Sequence, residues 1–254
     1  MRTIYVIGIG AGDPEHLTLQ AIGAMNRVDV WFTFDKGAAT ADLAGLRSDL
    51  LARHVTREHR VVAAPDPDRD RDPGGVPGYE TAVADWLGTR EGVMAGLLTT
   101  ELPDGGTGGL LVWGDPALYD STLRILDAVG AAVDIAVVSV PGITSIQALA
   151  AAHRIVLNRI GRPFLVTTGR RLVTDGIPAG IDDAVVLLDG RTAFAELPDA
   201  DLDIFWGAYL GTADEVLVSG DLQERKAEIC RIRADRRAAK GWIMDTYLLR
   251  RRLS

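Results

Sequence analysis

Glycines and a carboxylate follow the first apolar segment of the chain, in a pattern that could bind a nucleotide-like ligand. Ile4–Ile7 is strand-like and is followed by Gly8, Gly10, Gly12 and then Asp13. A glycine-rich turn between a strand and a helix lets the backbone approach a ligand closely. Asp13, however, stands where the dinucleotide fingerprint needs a small residue, and its charge would repel a pyrophosphate. The pattern therefore disfavours NAD and places Asp13 in an exposed turn at the end of the strand. A tight turn with Asp13 as a helix cap is the structural alternative.

Two later segments have the same strand-to-turn character. Val112–Asp115 is an apolar strand that ends in glycine, so backbone groups become available at the carboxyl edge of a sheet. Pro141-Gly142 is followed by Thr144 and Ser145, which could donate to a carboxylate at a helix start. Plain helix capping by the same two hydroxyls is the alternative explanation.

These turns need a scaffold, and the hydrophobic pattern predicts one of the α/β class. Short apolar runs alternate with segments of helical period, as in parallel βα units. The predicted strands are Ile4–Ile7, Val28–Phe34, Val61–Ala63, Leu110–Trp113, Ala136–Val140, Phe164–Thr168, Ala184–Leu188, Ile204–Tyr209, Val216–Ser219 and Trp242–Leu249. The predicted helices are Leu17–Val28, Ala41–Val55, Tyr79–Leu98, Ser145–His153 and Leu222–Ala239. Pro65–Gly78 and Leu102–Gly109 are predicted loops, the first either a lid or a solvated connection.

Composition excludes several classes of protein. The 254 residues are 47% hydrophobic, enough for one large domain or two smaller ones, and the formal net charge of -8 disfavours non-specific nucleic-acid binding. Cys230 is the single cysteine, so an internal disulfide and a thiolate zinc site are excluded. His54 and His59 are near neighbours without a third ligand close by, so no metal is expected. With no signal peptide and no membrane-length apolar run, we expect a soluble cytoplasmic protein.

Four motifs in the same order resemble those of the tetrapyrrole (corrin/porphyrin) methylases. Val6–Ala21 resembles the N-terminal signature of that family, and Val112–Tyr119 resembles its Gly-Asp-Pro loop. Val140–Ser145 is similar to its Pro-Gly loop, and Gly211-Thr212 with Glu215–Leu222 is similar to its C-terminal region. The resemblance implies two α/β domains, residues 1–158 and 159–254, with a mostly parallel N-terminal sheet and a smaller C-terminal domain. It also implies an active site in the cleft between the domains, and a homodimer.

The resemblance implies S-adenosylmethionine as cofactor and S-adenosylhomocysteine as its product. The residues expected to contact it are Ala11, Gly114, Asp115, Leu118, Tyr119, Thr144, Ser145, Thr168, Gly169, Leu210 and Gly211. Ala11 departs from the family, where proline is common at this position.

Five segments resemble the family member that methylates C-1 of precorrin-5 with loss of acetate in cobalamin biosynthesis. They are Phe34–Gly37, Pro65–Asp72, Thr167–Leu172, Trp206–Gly211 and Gly241–Arg250. Loss of an acetyl group needs a general base for water, for which we expect Asp13, with Tyr119 and Tyr247 as orienting groups. The carboxylates of such a substrate suit guanidinium partners. The arginines expected to bind them are Arg159, Arg162, Arg170, Arg171 and Arg191.

Other functions remain open at this point. Another precorrin or uroporphyrinogen methyltransferase of the family would carry the same cofactor motifs. A protein methyltransferase like diphthine synthase has the same fold, and a corrinoid carrier could keep the fold without catalysis.

Overall fold

The structure, a computed structural model, describes residues 1–35, 41–68, 75–198 and 201–252. Lys36, Gly37 and residues 69–72 of the two segments noted above lie outside the described residues. The chain divides into two compact units. Unit 1 comprises Met1–Gly10 and Pro14–Ile143, and unit 2 comprises Ala11–Asp13 and Thr144–Ser254.

Unit 1 is built on a five-stranded sheet. Its strands are β1 (Arg2–Gly8), β2 (Val30–Asp35), β3 (Arg60–Pro65), β4 (Thr107–Val112) and β5 (Ile135–Val140). They lie in the order β3-β2-β4-β1-β5, and all neighbouring pairs are parallel. β1 and β4 are adjacent, but the chain leaves β1 toward β2 and leaves β4 toward β5. Such a reversal marks the place at the carboxyl ends of the strands where open α/β sheets bind ligands.

Helices cover both faces of this sheet. They are α1 (Leu19–Met25), α2 (Ala41–His54), α3 (Gly75–Glu101) and α4 (Thr122–Gly130). One core contains Met25 of α1, Leu50 of α2 and Leu111 of β4, and the other contains Leu98 of α3 and Leu126 of α4. The central strands β1, β2 and β4 are largely buried beneath these helices and are therefore mostly apolar, whereas the edge strands β3 and β5 are largely exposed.

Unit 2 has a mixed sheet. Its strands are β6 (Phe164–Thr168), β7 (Asp183–Leu187), β8 (Leu202–Ala208), β9 (Val216–Asp221) and β10 (Asp245–Arg251), in the order β6-β7-β10-β8-β9. Only β6 and β7 are parallel among the described pairs. The helices are α5 (Ser145–His153), α6 (Gly169–Asp175) and α7 (Leu222–Lys240). The last strand, β10, lies in the centre of the sheet, with Tyr247, Leu248 and Leu249 fully buried. The α/β class predicted from the sequence is confirmed.

Two predicted loops are wrong in part. The segment Leu102–Gly109 was predicted as a loop because glycine is rare in strands, but β4 already begins at Thr107. A Cβ at Gly109 would lie 2.6 Å from the Trp31 ring, so the glycine gives room to a large side chain of the neighbouring strand. The other predicted loop, Pro65–Gly78, ends earlier than expected, since α3 begins at Gly75.

The first helix is shorter than predicted. It begins at Leu19 rather than Leu17, because the Thr18 side chain accepts a hydrogen bond from the amide of Ala21 at 3.0 Å and caps the helix. It ends at Met25, and Asn26 then joins the end of α2 by donating to the carbonyl of His54 at 2.7 Å.

Unit 1 ends at Ile143 and the main segment of unit 2 begins at Thr144, whereas the domain boundary expected from the sequence lay between residues 158 and 159. The difference is α5, which packs on β8 and β10 of the second sheet and therefore groups with unit 2. Within the described residues, none of the helices combines the length and apolar character that crossing a bilayer requires.

Candidate active site

Three strand ends of unit 1 meet through their backbones. A Cβ added at Gly8, at the end of β1, would lie 2.6 Å from the carbonyl oxygen of Gly114 and 2.7 Å from the amide nitrogen of Gly142. Gly114 follows β4 and Gly142 follows β5. No side chain fits among these atoms, so glycine at the three positions keeps the three strand ends in direct contact. Their peptide groups therefore lie together at the carboxyl edge of the sheet.

The first loop is tied to the second by a short bridge. Gly114 donates its amide to the carbonyl of Gly10 at 2.8 Å, and Gly10 donates back at 3.4 Å. Both residues have positive φ, 82° at Gly10 and 64° at Gly114, which glycine adopts without a steric penalty. The predicted Gly-rich turn and Gly-Asp-Pro loop are thus brought together.

Asp115 holds the second loop to the third. One carboxylate oxygen accepts from the Ala117 amide at 2.7 Å, and the other accepts from the Gly142 amide at 2.9 Å. The Leu118 amide closes the turn on the carbonyl of Asp115 at 3.2 Å. The Asp115 side chain therefore shapes the loops, while the backbone of this loop remains the part that can face a ligand.

Tyr119 ends this loop in an unusual conformation. Its φ is 52° and its side chain is 47% exposed. A left-handed backbone is unfavourable for a residue with a bulky side chain, and such residues concentrate at functional sites. Asp13, Tyr119 and Tyr247 are the residues expected to take part in catalysis, and Tyr119 is the most exposed of the three.

Thr144 and Ser145 start helix α5. Thr144 accepts from the Ile146 amide at 3.1 Å, and Gln147 accepts from the Thr144 amide at 3.1 Å, which together form a capping box. The Ser145 hydroxyl accepts from the Thr246 hydroxyl at 3.1 Å. The capping alternative is therefore correct for Thr144, and a ligand role would use the remaining backbone groups.

Ala11–Asp13 group with unit 2 rather than with their chain neighbours. Ala11 is buried, and a Cβ added at Gly12 would lie 2.7 Å from Cγ2 of Thr212. Asp13 is half-buried rather than exposed, which corrects the exposed turn expected from the sequence. The tight packing of Gly12 in unit 2 explains this.

Two further loops of unit 2 carry predicted cofactor residues. Leu210 is buried, and the Gly211 amide donates to a carboxylate oxygen of Glu215 at 2.7 Å. Thr168 caps α6 by accepting from the Arg171 amide at 3.4 Å. A Cβ at Gly169 would overlap the carboxylate of Asp189, so this glycine makes room for a buried acid.

The predicted substrate arginines fall into two groups. Arg159 and Arg162 share the carboxylate of Asp182 at 3.6 Å and 3.7 Å, and Arg159 also donates to the carbonyl of Arg251. Arg170, Arg171 and Arg191 are exposed. Arg171 pairs with Asp175 at 3.3 Å, and Arg170 and Arg191 also have interaction partners. Exposure leaves the second group available to an anionic ligand.

Tyr247 lies in the core of unit 2, where its hydroxyl donates to Asp189 at 2.7 Å. Burial and the negative Asp189 raise the pKa of Tyr247 well above its ordinary value, so the phenol stays protonated. Asp189 also accepts from the Ala193 amide at 2.7 Å. This arrangement gives Tyr247 a structural role. Its place in the apolar run Tyr247-Leu248-Leu249 was the sequence signal for burial.

A buried ion pair completes this network, and sequence analysis did not find it. Arg233 of α7 donates to Asp245 at 2.9 Å and to the carbonyl of Asp189, and the Trp206 indole donates to Asp245 at 2.9 Å. Burial alone would lower the pKa of Arg233, but the hydrogen bond and charge of Asp245 raise it. Arg233 therefore stays charged and joins α7 to the centre of the sheet. Among the described residues, no three His, Cys, Asp or Glu side chains come together as metal ligands would.

Unit 1, with a parallel sheet, helices on both faces and glycines at three strand ends, belongs to the doubly wound α/β class, in which ligands bind at the carboxyl ends of the strands. The sequence profile of the Tetrapyrrole (Corrin/Porphyrin) Methylases matches residues 3–225. The chain therefore belongs to this family, as its motifs predicted.

Individual relatives extend the comparison. A Sinorhizobium sp protein named Precorrin-6A synthase [deacetylating] is 49% identical over 254 residues, which is 99% of this chain and 96% of the relative. The crystal structure of a cobalamin synthesis related protein (CobF) from Corynebacterium diphtheriae has a TM-score of 0.81 and 38% identity, covering 99% of both chains. The cobalt precorrin-4 methyltransferase CbiF is similar in fold, with a TM-score of 0.64 and 17% identity over 97% of this chain and 94% of that one.

Proposed function

We propose that the chain is a precorrin-6A synthase (deacetylating), which methylates C-1 of precorrin-5 at the expense of S-adenosylmethionine and releases acetate. The observation that carries this proposal is the 49% identity to the Sinorhizobium relative of that name along almost the whole of both chains. The 38% identity to CobF over the full chain supports the same pathway. Location in the cytoplasm and assembly as a homodimer belong to the same proposal.

The residues of the strand ends fit an adenosyl and aminoacyl ligand. Gly8, Gly114 and Gly142 bring peptide groups together without intervening side chains at the carboxyl edge of the sheet, the place where open α/β sheets bind ligands through backbone donors and acceptors. S-adenosylmethionine, when bound, supplies an electrophilic methyl group on a sulfonium sulfur. The proposed contacts in unit 1 are Gly114, Asp115, Leu118 and Tyr119. Those in unit 2 are Ala11, Thr144, Ser145, Thr168, Gly169, Leu210 and Gly211. The protein has to hold the acceptor carbon about 3 Å from the methyl group and in line with it.

Deacetylation requires a proton acceptor for water. In the proposed reaction a base takes one proton from water, and the hydroxide adds to the acetyl carbonyl. The carbon–carbon bond to the ring then breaks and the electron pair remains on the macrocycle. The acetyl group leaves as acetic acid, which releases its proton to solvent and becomes acetate. C-1 thereby becomes the electron-rich carbon that accepts the methyl group. Asp13 is the proposed base, since its half-buried carboxylate follows the first loop, and Tyr119 is the proposed group that orients the water.

The substrate carries several carboxylates, for which planar guanidinium groups are the matching partners. Arg170, Arg171 and Arg191 are exposed and therefore accessible to such groups. Arg159 and Arg162 already face Asp182, so a substrate carboxylate would have to compete with that acid. Replacing Arg170 and Arg171 by methionine is expected to weaken precorrin binding and to spare the cofactor.

Asp13→Asn tests the base. The amide keeps the shape of the side chain but cannot accept a proton from water, so acetate release is expected to fall by about a hundredfold or more, within the range of general-base catalysis. Binding of S-adenosylhomocysteine, measured by calorimetry, should stay within twofold of wild type. Wild-type turnover of precorrin-5 by this variant would remove Asp13 from the mechanism.

Product analysis separates the neighbouring functions. Another precorrin or uroporphyrinogen methyltransferase would transfer methyl groups without releasing acetate. A requirement for a protein co-substrate would indicate a protein methyltransferase, and tight corrinoid binding without turnover would indicate a carrier. Sedimentation analysis of the purified protein tests the homodimer.

A further inference from the structure

Arg47 of α2 lies beside the last residues of β4 in unit 1, whereas the arginines predicted from the sequence to bind substrate all belong to unit 2. Its Nε donates to the carbonyl oxygen of Leu111 at 3.3 Å. Its guanidinium carbon lies 5.6 Å from the centre of the Trp113 ring, in the range of a cation–π contact. These two contacts fix the side chain next to the Gly-Asp-Pro loop.

The sheet geometry explains why an arginine is accommodated here. Strands β2 and β4 pair only at Val30 with Gly108 and at Trp31 with Gly109. Beyond Gly109 the two strands separate, so the Leu111 carbonyl lies past the reach of the β2 backbone. Arg47 satisfies this carbonyl with one donor, and a guanidinium has five N–H donors in all.

The electrostatic environment of Arg47 differs from that of comparable arginines in unit 1. Two other described arginines of unit 1, Arg2 and Arg90, have largely buried side chains. Arg2 forms an ion pair with Asp104 at 2.7 Å, and Arg90 forms one with Asp66 at 2.7 Å. Among the described residues, Asp120 is the acid whose negative charge raises the pKa of Arg47, and it does so by a coulombic interaction without a direct ion pair.

Burial is the larger influence on Arg47 and lowers its pKa, and the charge of Asp120 opposes this only in part. The Asp120 carboxylate is itself occupied, since it accepts from the Thr122 amide at 2.7 Å. Within the part of the chain that the structure describes, Arg47 is a largely desolvated cation without a close counter-ion. Such a cation is stabilised when an anion binds beside it. A carboxylate of the ligand would supply this anion.

We propose that Arg47 binds a carboxylate of the bound ligand at the Gly-Asp-Pro loop. This inference rests on the proposed function, which supplies two such groups. They are the methionyl carboxylate of the cofactor and the acetate or propionate side chains of the precorrin. Both are recognised by the same chemistry, a guanidinium that donates two parallel hydrogen bonds.

The test compares Arg47→Met with Arg53→Met, an exposed arginine on the same helix. Calorimetry with S-adenosylhomocysteine and the KM for precorrin-5 are measured for both variants and for wild type. A KM raised about tenfold or more, with unchanged S-adenosylhomocysteine affinity, supports the proposal and identifies the macrocycle carboxylate. A tenfold loss of S-adenosylhomocysteine affinity supports it and identifies the methionyl carboxylate. Each loss has the size expected for charge-assisted hydrogen bonds.

The proposal would be overturned if Arg47→Met had the same S-adenosylhomocysteine affinity and the same KM for precorrin-5 as Arg53→Met. This holds whether or not Arg47→Met also lowers the melting temperature. If Arg47→Met does not fold, Arg47→Lys decides, because it keeps the charge but loses the planar fork. Wild-type affinity and KM in the lysine variant would then overturn the proposal, and a reduced affinity would support it. A wild-type protein that neither binds S-adenosylhomocysteine nor releases acetate would refute the proposed function itself, and this inference with it.

Discussion

Replacing Gly8 by alanine is expected to destabilise unit 1 and to weaken cofactor binding. The added Cβ would lie 2.6 Å, 2.7 Å and 2.8 Å from three atoms, all of them backbone atoms of Gly114 and Gly142. Real Cβ atoms do not approach other atoms this closely, and a backbone cannot turn aside as a flexible side chain can. Overpacking of a well-packed site costs about 1–3 kcal/mol, and we expect about 3 kcal/mol here because three strand ends must move apart. For a chain of this size, that corresponds to a melting temperature lowered by roughly 10 °C.

Gly92→Ala is the matched control. Gly92 lies on α3 at an exposed position, and a Cβ there meets nothing within 4 Å. Alanine in a helix is favoured over glycine by about 0.5–1 kcal/mol, so this variant should unfold at the wild-type temperature or slightly above. Thermal unfolding and calorimetric titration with S-adenosylhomocysteine are measured on both variants. Gly8→Ala is expected to bind at least tenfold more weakly. If it melts and binds like wild type, the strand ends are not in close backbone contact and do not form the cofactor surface.

Three further predictions concern unit 2. Tyr247→Phe removes one hydrogen bond to the buried Asp189, so stability should fall by about 1–2 kcal/mol while kcat stays near wild type; a large drop in kcat at unchanged stability would contradict the structural role. Arg233→Met leaves Asp245 without its cation, and denaturant unfolding should show a loss of about 3–5 kcal/mol; a loss below 1 kcal/mol would contradict the buried pair. His153 has a pKa lowered by burial, against the opposing hydrogen bond to the Trp206 carbonyl and the charge of Glu215. The unfolded chain therefore takes up the proton first, so stability is complete above about pH 6.5 and is lost as the pH falls toward the lower folded pKa. The wild-type melting temperature should drop more between pH 7 and pH 5 than that of His153→Gln, and equal drops would show that His153 does not titrate differently in the two states.

The elements of the fold were largely readable from the sequence because parallel strands buried on both faces are apolar along their length. Ser145–His153 and Phe164–Thr168 have the predicted bounds. The start of β4 was missed because its glycines are explained only by the Trp31 and Phe32 rings packed against them. The central position of β10 was also not predictable, since strand order depends on contacts distant in the chain.

The glycine loops of the candidate site were found from the sequence because a strand followed by glycine is a local signal. Side-chain roles were harder to predict. Asp115 proved to tie two loops together, and Tyr247 proved to be buried against Asp189. Arg47 gave no signal at all, since its position depends on the separation of two strands that precede and follow it in the chain. Spacing shows which residues follow a strand but not which groups become their partners.

The most direct test of the account is the stoichiometry of the reaction with precorrin-5. Purified protein is incubated with precorrin-5 and S-adenosylmethionine labelled on the methyl group, and acetate and labelled macrocycle are counted together. We expect one acetate released for each methyl group transferred, with one S-adenosylhomocysteine formed. Methyl transfer without acetate, or neither product, would contradict the assignment.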